Sequence, residues 1–327
     1  MKAVVYHTYG DVDVLKIEEM PTPSVRAGQI LVQVISTTVT AADWRFRSAS
    51  PFLVRLMQGL FKPKATRRVL GAELSGIVKA VGAGVNRFKV GDEIFADVSS
   101  CGMGGHAELI CLDAEGPVAH KPKGLSFEEA GGICFGGYSA LYFLRDVAKI
   151  QKGQKLLIID ASGNVGTFAV QLGKYFGAEV TGVCSGKNVE LVKSLGADRV
   201  IDYTREDFSA ESQRYDFIFD TVSYVPFGKC KGVLTERGKL LRLVFGPGLM
   251  IGGMLVGLLG KKKVACAVAM KVSGEDLRFL KRLIEDGQIK PMIEKVYPMT
   301  EIARAHEHSQ SGRKVGSVAV RIGGDCI

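Results

Sequence analysis

The stretch from Lys155 to Lys187 constrains the fold more than any other part of this 327-residue chain. An apolar run, Leu156-Leu157-Ile158-Ile159, ends at Asp160 and enters the turn Ala161-Ser162-Gly163-Asn164-Val165-Gly166. Val165, Phe168, Ala169, Leu172 and Phe176 then recur at helical spacing, Gly177 offers a stop, and a second apolar run ends at Cys184. The spacing predicts strand, tight turn, helix and strand. The small residues differ in what they permit. Gly163 lets the backbone approach a diphosphate, Gly166 lets the helix pack on the strand, and Ala161 fills the first place of the usual glycine triplet. Free N–H groups and the helix dipole favour an anion there. A dinucleotide site is the expectation, and a tight turn without a ligand is the bland alternative.

The second strand, Glu179 to Cys184, ends where an NAD enzyme places an acid to bond the ribose 2′-hydroxyl. No acid follows it. Ser185 and Lys187 stand there, offering a hydroxyl and a cation to a 2′-phosphate. NADPH is therefore the expected cofactor, with a merely solvated Lys187 as the alternative.

At 46% apolar and 24% charged residues, the composition is that of a soluble globular protein long enough for two domains. Neither a cleavable signal nor an apolar run long enough to span a membrane is evident. The nearest approach, 249–259, is short and glycine-rich, which favours burial or a subunit contact over a membrane-surface role. The net charge of +9 raises nucleic acid as a partner, but the cations are spread along the chain, with only short clusters at Lys62 to Arg68 and Lys261 to Lys263 and no stacking aromatics beside them. Nucleic acid is not the expected partner. Seven scattered cysteines fit a reducing cytoplasm better than a disulfide framework.

Short β-prone runs at Lys2 to Tyr6, Val14 to Ile17, Ile30 to Ile35, Ser75 to Val81 and Asp92 to Phe95 predict a β-rich first domain over 1–126. From 127 the rhythm changes to alternating helix and strand. Ser126-Phe127-Glu128-Glu129 resembles a capping box; Val189 to Leu195 reads as a helix; Arg199 to Tyr203, Asp216 to Asp220 and Lys239 to Val244 read as strands. A doubly wound parallel sheet over 127–270 is expected. The tail, 271–327, with a helix at Glu275 to Glu285 and a strand at Gly316 to Ile322, is expected to return to the first domain.

The ordered pieces Gly71-Ala72-Glu73-Leu74-Ser75-Gly76, Val81 to Asp92, Gly104-Gly105-His106-Ala107-Glu108, Ala161 to Gly166, Ser194 to Asp198, Val200 to Tyr203 and Phe219 to Val222 resemble a medium-chain dehydrogenase/reductase of the zinc-independent, quinone-oxidoreductase-like branch. The resemblance covers nearly the whole chain. It implies an α/β fold, a Rossmann doubly wound parallel sheet inserted into a GroES-like β-barrel domain, and a homodimer. It places Gly163, Asn164, Val165 and Gly166 at the pyrophosphate, and Ser185, Lys187 and Tyr203 around the 2′-phosphate. It puts Ser139 near the nicotinamide, Thr221, Val222 and Ser223 near the adenosine side, and Phe245 and Gly246 near the carboxamide. Thr40 and Asp43 match an Asn-Pro-x-Asp segment lining the cleft, with the Asn replaced by Thr and the Pro by Ala41.

Zinc-dependent relatives carry ligands where this chain has Thr40, Ala72 and Gly131 or Gly132, and a structural zinc needs a tight run of cysteines that is absent. No metal is expected. Cys134 and the histidines His7, His106, His120, His306 and His308 keep default readings as packing or surface residues. Without a strong Lewis acid, hydride transfer to a quinone or to the β-carbon of an enone is the easier chemistry, followed by protonation of the resulting anion. Tyr138 and Asp43 are candidates for proton donation or carbonyl orientation, each also readable as a structural residue. Two alternatives stay open: zinc-independent ketone or alcohol chemistry, and an NADPH-binding protein with a structural or sensory role.

Overall fold

The computed structural model describes residues 1–50, 52–243, 263–267 and 271–323. The chain forms two compact units, the first made of Met1–Tyr138, Lys271–Gly287 and Pro291–Ile327, the second of Ser139–Met270 and Gln288–Lys290. Phe245, Gly246 and the apolar segment 249–259 lie outside the described residues.

In the first unit, β1 (Lys2–Tyr6) and β2 (Leu15–Glu19) pair as an antiparallel ribbon. Then come β3 (Gln29–Thr38), the short helices α1 (Ala41–Ser48) and α2 (Leu53–Gln58), β4 (Glu73–Val81), β5 (Glu93–Asp97), β6 (Leu109–Asp113), β7 (Val118–His120) and α3 (Phe127–Gly131). β3 alternates inward Ile30, Val32 and Val34 with half-exposed Leu31 and Gln33, the period-2 pattern of a strand buried on one face. Their partners across the core include Leu74 and Val78 of β4 and Ile94 of β5, all fully buried. α3 opens on the expected capping box: Ser126 Oγ accepts from Glu129 N at 3.2 Å, and Glu129 Oε2 accepts from Ser126 N at 2.9 Å.

The second unit strings β8 (Lys155–Ile159), α4 (Asn164–Tyr175), β9 (Glu179–Cys184), α5 (Val189–Ser194), β10 (Arg199–Asp202), β11 (Tyr215–Asp220), α6 (Phe227–Lys231), β12 (Leu234–Leu243) and β13 (Lys263–Ala267). All neighbours are parallel, in the order β10-β9-β8-β11-β12-β13. This is the doubly wound arrangement, with its direction reversing between β8 and β11. Gly177, at φ 79, stops α4 as its sequence position predicts.

The tail supplies α7 (Gly274–Glu285), β14 (Ile293–Pro298), α8 (Ile302–Gln310) and β15 (Ser317–Arg321). β15 pairs antiparallel with β3, giving a seven-stranded sheet in the order β14-β15-β3-β4-β5-β7, with β6 also on β3. Lys271–Gly287 and Pro291–Ile327 are grouped with the first unit.

The boundary between units falls between Tyr138 and Ser139, later than the 126/127 division expected from the change of rhythm. The reason is local: α3 packs on β3 and β4, Ser75 Oγ donates to the Phe127 carbonyl at 2.5 Å, and Phe135 N donates to Glu73 at 2.7 Å. A helical rhythm begins before the sheet it serves has ended.

Candidate dinucleotide site

The turn after β8 is shaped by close backbone approaches. A Cβ on Gly166 would lie 2.0 Å from the Asp160 carbonyl oxygen and 2.8 Å from Ala161 Cα, so only glycine lets α4 start this near the strand. Gly182 does the same on β9, where a Cβ would meet Val192 Cγ1 at 2.6 Å and Ala161 Cβ at 3.0 Å. Asp160 sits at φ 62, and its carboxylate occupies the space beside Gly163, where a Cβ would meet Oδ2 at 2.2 Å. A side chain at 163 would have to displace the Asp160 carboxylate. The sequence spacing alone did not reveal that constraint.

Gly163 is the N-cap of α4 and supplies no side-chain cap, so the first N–H groups of a twelve-residue helix have no protein acceptor from that position. Asn164, in the first turn, is buried, and its Oδ1 has no hydrogen-bond partner. The uncapped helix start supplies backbone N–H donors, and Asn164 Oδ1 beside it is an acceptor open to a ligand hydroxyl. The residues present fit a dinucleotide diphosphate.

The expected ribose end is built from two adjacent strand ends. Cys184 and Asp202 are register partners, and Tyr203 N donates to the Cys184 carbonyl at 3.1 Å. Ser185, Lys187 and Tyr203 are thereby brought to one loop cluster, with Lys187 and Tyr203 exposed. Two residues missed from the sequence hold this cluster. Asn188 is buried and its Nδ2 donates to Ser162 Oγ at 2.9 Å, tying the loop after β9 to the turn after β8. Asp202 accepts from Thr204 Oγ1 at 2.7 Å and Thr204 N at 3.0 Å. These bonds, with one from the Gly186 N–H, hold its carboxyl below the usual carboxylate range. An acid is therefore present beside the loop, delivered by β10 instead of β9. A Cβ on Gly186 would stand 2.5 Å from Asp202 Oδ2, so the loop's glycine makes room for it.

At the switch point, Thr221 Oγ1 donates to the Ile159 carbonyl at 3.0 Å, linking the ends of β11 and β8. Ser223, at φ 60, donates its N–H to Asp220 Oδ1 at 2.8 Å and its hydroxyl to the Leu243 carbonyl at 2.6 Å. Asp220 is fully buried against Arg242 Nε at 3.4 Å; burial pushes its carboxyl up despite that partner. Val222 packs on the core of this unit, and Ser139 is buried in the helical run that follows Tyr138.

Thr40, Asp43 and Tyr138 belong to the first unit, and their polar atoms are engaged locally. Thr40 caps α1, accepting from Ala42 N and Asp43 N while its hydroxyl donates to Asp43 Oδ2 at 2.6 Å. Asp43 also accepts from Thr40 N and Gly71 N, both at 2.7 Å. The Tyr138 hydroxyl donates to the Lys271 carbonyl at 2.8 Å.

Close by in sequence, Glu73 is fully buried, accepting from Phe135 N at 2.7 Å and bonded to Thr38 Oγ1. Burial pushes its carboxyl up to about 8, and Asp97, buried nearby, up to about 6. Glu73→Gln preserves both hydrogen bonds. Because the folded-state value lies above the ordinary 4.5, wild-type stability falls as pH rises from about 5 through 8. The variant is expected to match wild type near pH 5 and to exceed it by several kcal/mol above pH 8. Urea melts across that range check this, and a difference independent of pH would contradict a neutral Glu73.

His106 and His306 are fully buried with ring centroids 5.8 Å apart, and burial lowers both below the ordinary histidine range. Burial likewise pushes the Cys134 thiol well up. Among the described residues no group of three or more His, Cys, Asp or Glu is arranged to hold a metal ion.

Comparison with known proteins places these features. The alcohol dehydrogenase GroES-like domain family matches residues 26–146, and the family described as zinc-binding dehydrogenase matches residues 195–320. A chloroplastic quinone-oxidoreductase, QR1, of Triphysaria versicolor is 30% identical over 98% of this chain and 98% of its own length. A chloroplastic NADPH-dependent alkenal/one oxidoreductase of Arabidopsis thaliana is 30% identical over 98% of this chain and 79% of its own. The solved structure of the quinone oxidoreductase from Coxiella burnetii superposes with a TM-score of 0.86 at 27% identity, covering 99% of each chain. With its GroES-like first unit and Rossmann second unit, the chain belongs to the medium-chain dehydrogenase/reductase superfamily, in the quinone-oxidoreductase-like branch.

Proposed function

We propose that this protein is a zinc-independent, NADPH-dependent reductase of quinones or α,β-unsaturated carbonyls. The observation that carries the reading is the start of α4, left without a side-chain cap, in a chain whose relatives are named for quinone and alkenal/one reduction. When bound, NADPH supplies the hydride. The chain's part is to hold the diphosphate at Gly163 to Gly166, seat the ribose end at Ser185, Lys187 and Tyr203, and keep the loops between them rigid through Asn188 and Ser162. Support for zinc independence comes from the donor set: Ala72, Gly131 and Gly132 offer no ligand atom, and Thr40 is consumed as a cap. The substrate is then one already activated toward hydride. Steady-state assays with a quinone, an enone and a simple ketone test this; turnover of the ketone alone would move the assignment to ketone or alcohol chemistry.

The preference for NADPH is assigned to Lys187, which has no ion-pair partner among the described residues, and to Tyr203 beside it. Lys187→Ala is expected to raise KM for NADPH by about 10- to 100-fold, the worth of a charge-assisted bond, with little change for NADH. An equal loss for both cofactors would mean that Lys187 does not meet a 2′-phosphate. Asp202 belongs to the same proposal as the residue that braces the Gly186 turn and so aims Lys187.

We further assign a homodimer in a reducing compartment, the cytoplasm or its equivalent. Support for the reducing compartment comes from the free thiols of Cys101, Cys111, Cys134, Cys184 and Cys230. No helix among the described residues is long and apolar enough to cross a membrane. Sedimentation equilibrium of the full chain reads the dimer directly.

A further inference from the structure

From Trp44 to Ala72 the chain carries seven Lys and Arg and no Asp or Glu, against a net charge of +9 for the whole protein. The same segment holds a concentration of exposed large apolar side chains: Phe52 is 65% exposed, Leu56 61%, Leu60 46% and Phe61 88%. α2 and its flanks are amphipathic in an unusual sense. Val54 and Gln58, four residues apart, face inward, while Phe52 and Leu56, also four apart, face solvent.

The exposed side chains stand on an anchored backbone. The Tyr9 hydroxyl donates to the Gly59 carbonyl at 2.6 Å, Lys64 N donates to the Gln58 carbonyl at 2.8 Å, and Arg67 Nη1 donates to Gln58 Oε1 at 3.2 Å. The Arg55 guanidinium lies over the rings of Tyr9 and Phe52, at 5.3 and 5.9 Å. Lys62 and Lys64 remain exposed beside Phe61. Of the cations, Arg47 alone is fully buried, paired with Asp11 at 3.2 Å. An apolar patch flanked by one sign of charge matches a surface that is itself apolar beneath and negative above.

We infer that residues 52–68 form a docking surface for an anionic phospholipid membrane, with Phe52, Leu56, Leu60 and Phe61 entering the headgroup region and Arg55, Lys62, Lys64 and Arg67 meeting lipid phosphates and carboxylates. Charge complementarity selects this occupant: a second copy of the same patch would set cations against cations, and an RNA would leave four apolar side chains without purpose. The surface holds the protein to one leaflet without spanning it. The inference is independent of the proposed reaction.

The test is flotation of the full-length protein with vesicles of phosphatidylcholine containing about 30 mol% phosphatidylserine, against phosphatidylcholine alone. Binding is expected to be at least about tenfold stronger to the anionic vesicles, since each basic side chain near such a surface contributes about fivefold. Lys62→Glu with Lys64→Glu, and separately Phe52→Ser with Phe61→Ser, are each expected to cut binding by about tenfold or more. All four side chains are solvent-exposed, and turnover of a water-soluble acceptor without vesicles is expected to stay at the wild-type level. Equal binding to both vesicle types would overturn the inference. So would loss on charge reversal with none on Phe-to-Ser exchange, or retardation of single-stranded DNA as strong as vesicle binding, because either would describe a general polyanion site.

Discussion

Arg242→Met is expected to destabilise the second unit by about 3–5 kcal/mol. Arg242 is 6% exposed and stands 3.4 Å from a fully buried Asp220, on neighbouring parallel strands in register. Removing the cation leaves a carboxylate in an apolar core with the Val222, Ser223 and Val225 N–H groups to hold it. The carboxyl already sits above its ordinary value through burial, so without Arg242 it takes up a proton on folding. The loss is expected to be larger at pH 8 than at pH 5, since a raised folded-state pKa makes stability fall as pH rises. Asp220→Asn combined with Arg242→Met is expected to recover a large part of it. Thermal or urea melts of the variants decide the matter, and a double variant no better than Arg242→Met would show that packing of the guanidinium, and not its charge, is what counts.

Gly166→Val is expected to weaken NADPH binding by about 100-fold or more, about 2.8 kcal/mol. A side chain there collides with the Asp160 carbonyl, and relief requires moving the start of α4 away from β8. The donors of the first helical turn then no longer converge on one point. Titration of NADPH into the variant measures this, with far-ultraviolet circular dichroism to confirm that the sheet persists. Undiminished affinity in a folded variant would place the diphosphate elsewhere.

Where the sequence was legible, one residue type had one possible job. The turn from Ala161 to Gly166, the stop at Gly177 and the capping box at Ser126 were readable because each is local, with its partners within a few residues. Strands β6, β7, β13 and β14 and helices α1, α2, α6 and α8 were not picked out. β7 has only three residues, and β14 follows Pro291 with charged residues on its exposed face. Asn188 and Asp202 were missed for a different reason: their importance lies in partners such as Ser162 and Gly186, across a turn or on the next strand. Patterns along a chain reveal periodicity but not pairing. The same limit hid Asp160, whose carboxylate fills the space beside Gly163. Thr40, matched by position to a cleft residue, proved to spend its hydroxyl on α1, which only the donor and acceptor geometry shows.

The pairing of β15 with β3 sets an order on biosynthesis. Thr38 waits for Ala319 and Ser36 for Arg321, so this edge of β3 stays unpaired until about 280 further residues have been made. The second unit is almost continuous in sequence and has its strands available long before that. Vectorial synthesis therefore favours completion of the nucleotide-binding unit first. The earlier-made β3 to β7 meanwhile depend on a late strand to close them, an open edge that a nascent chain must shield from its neighbours.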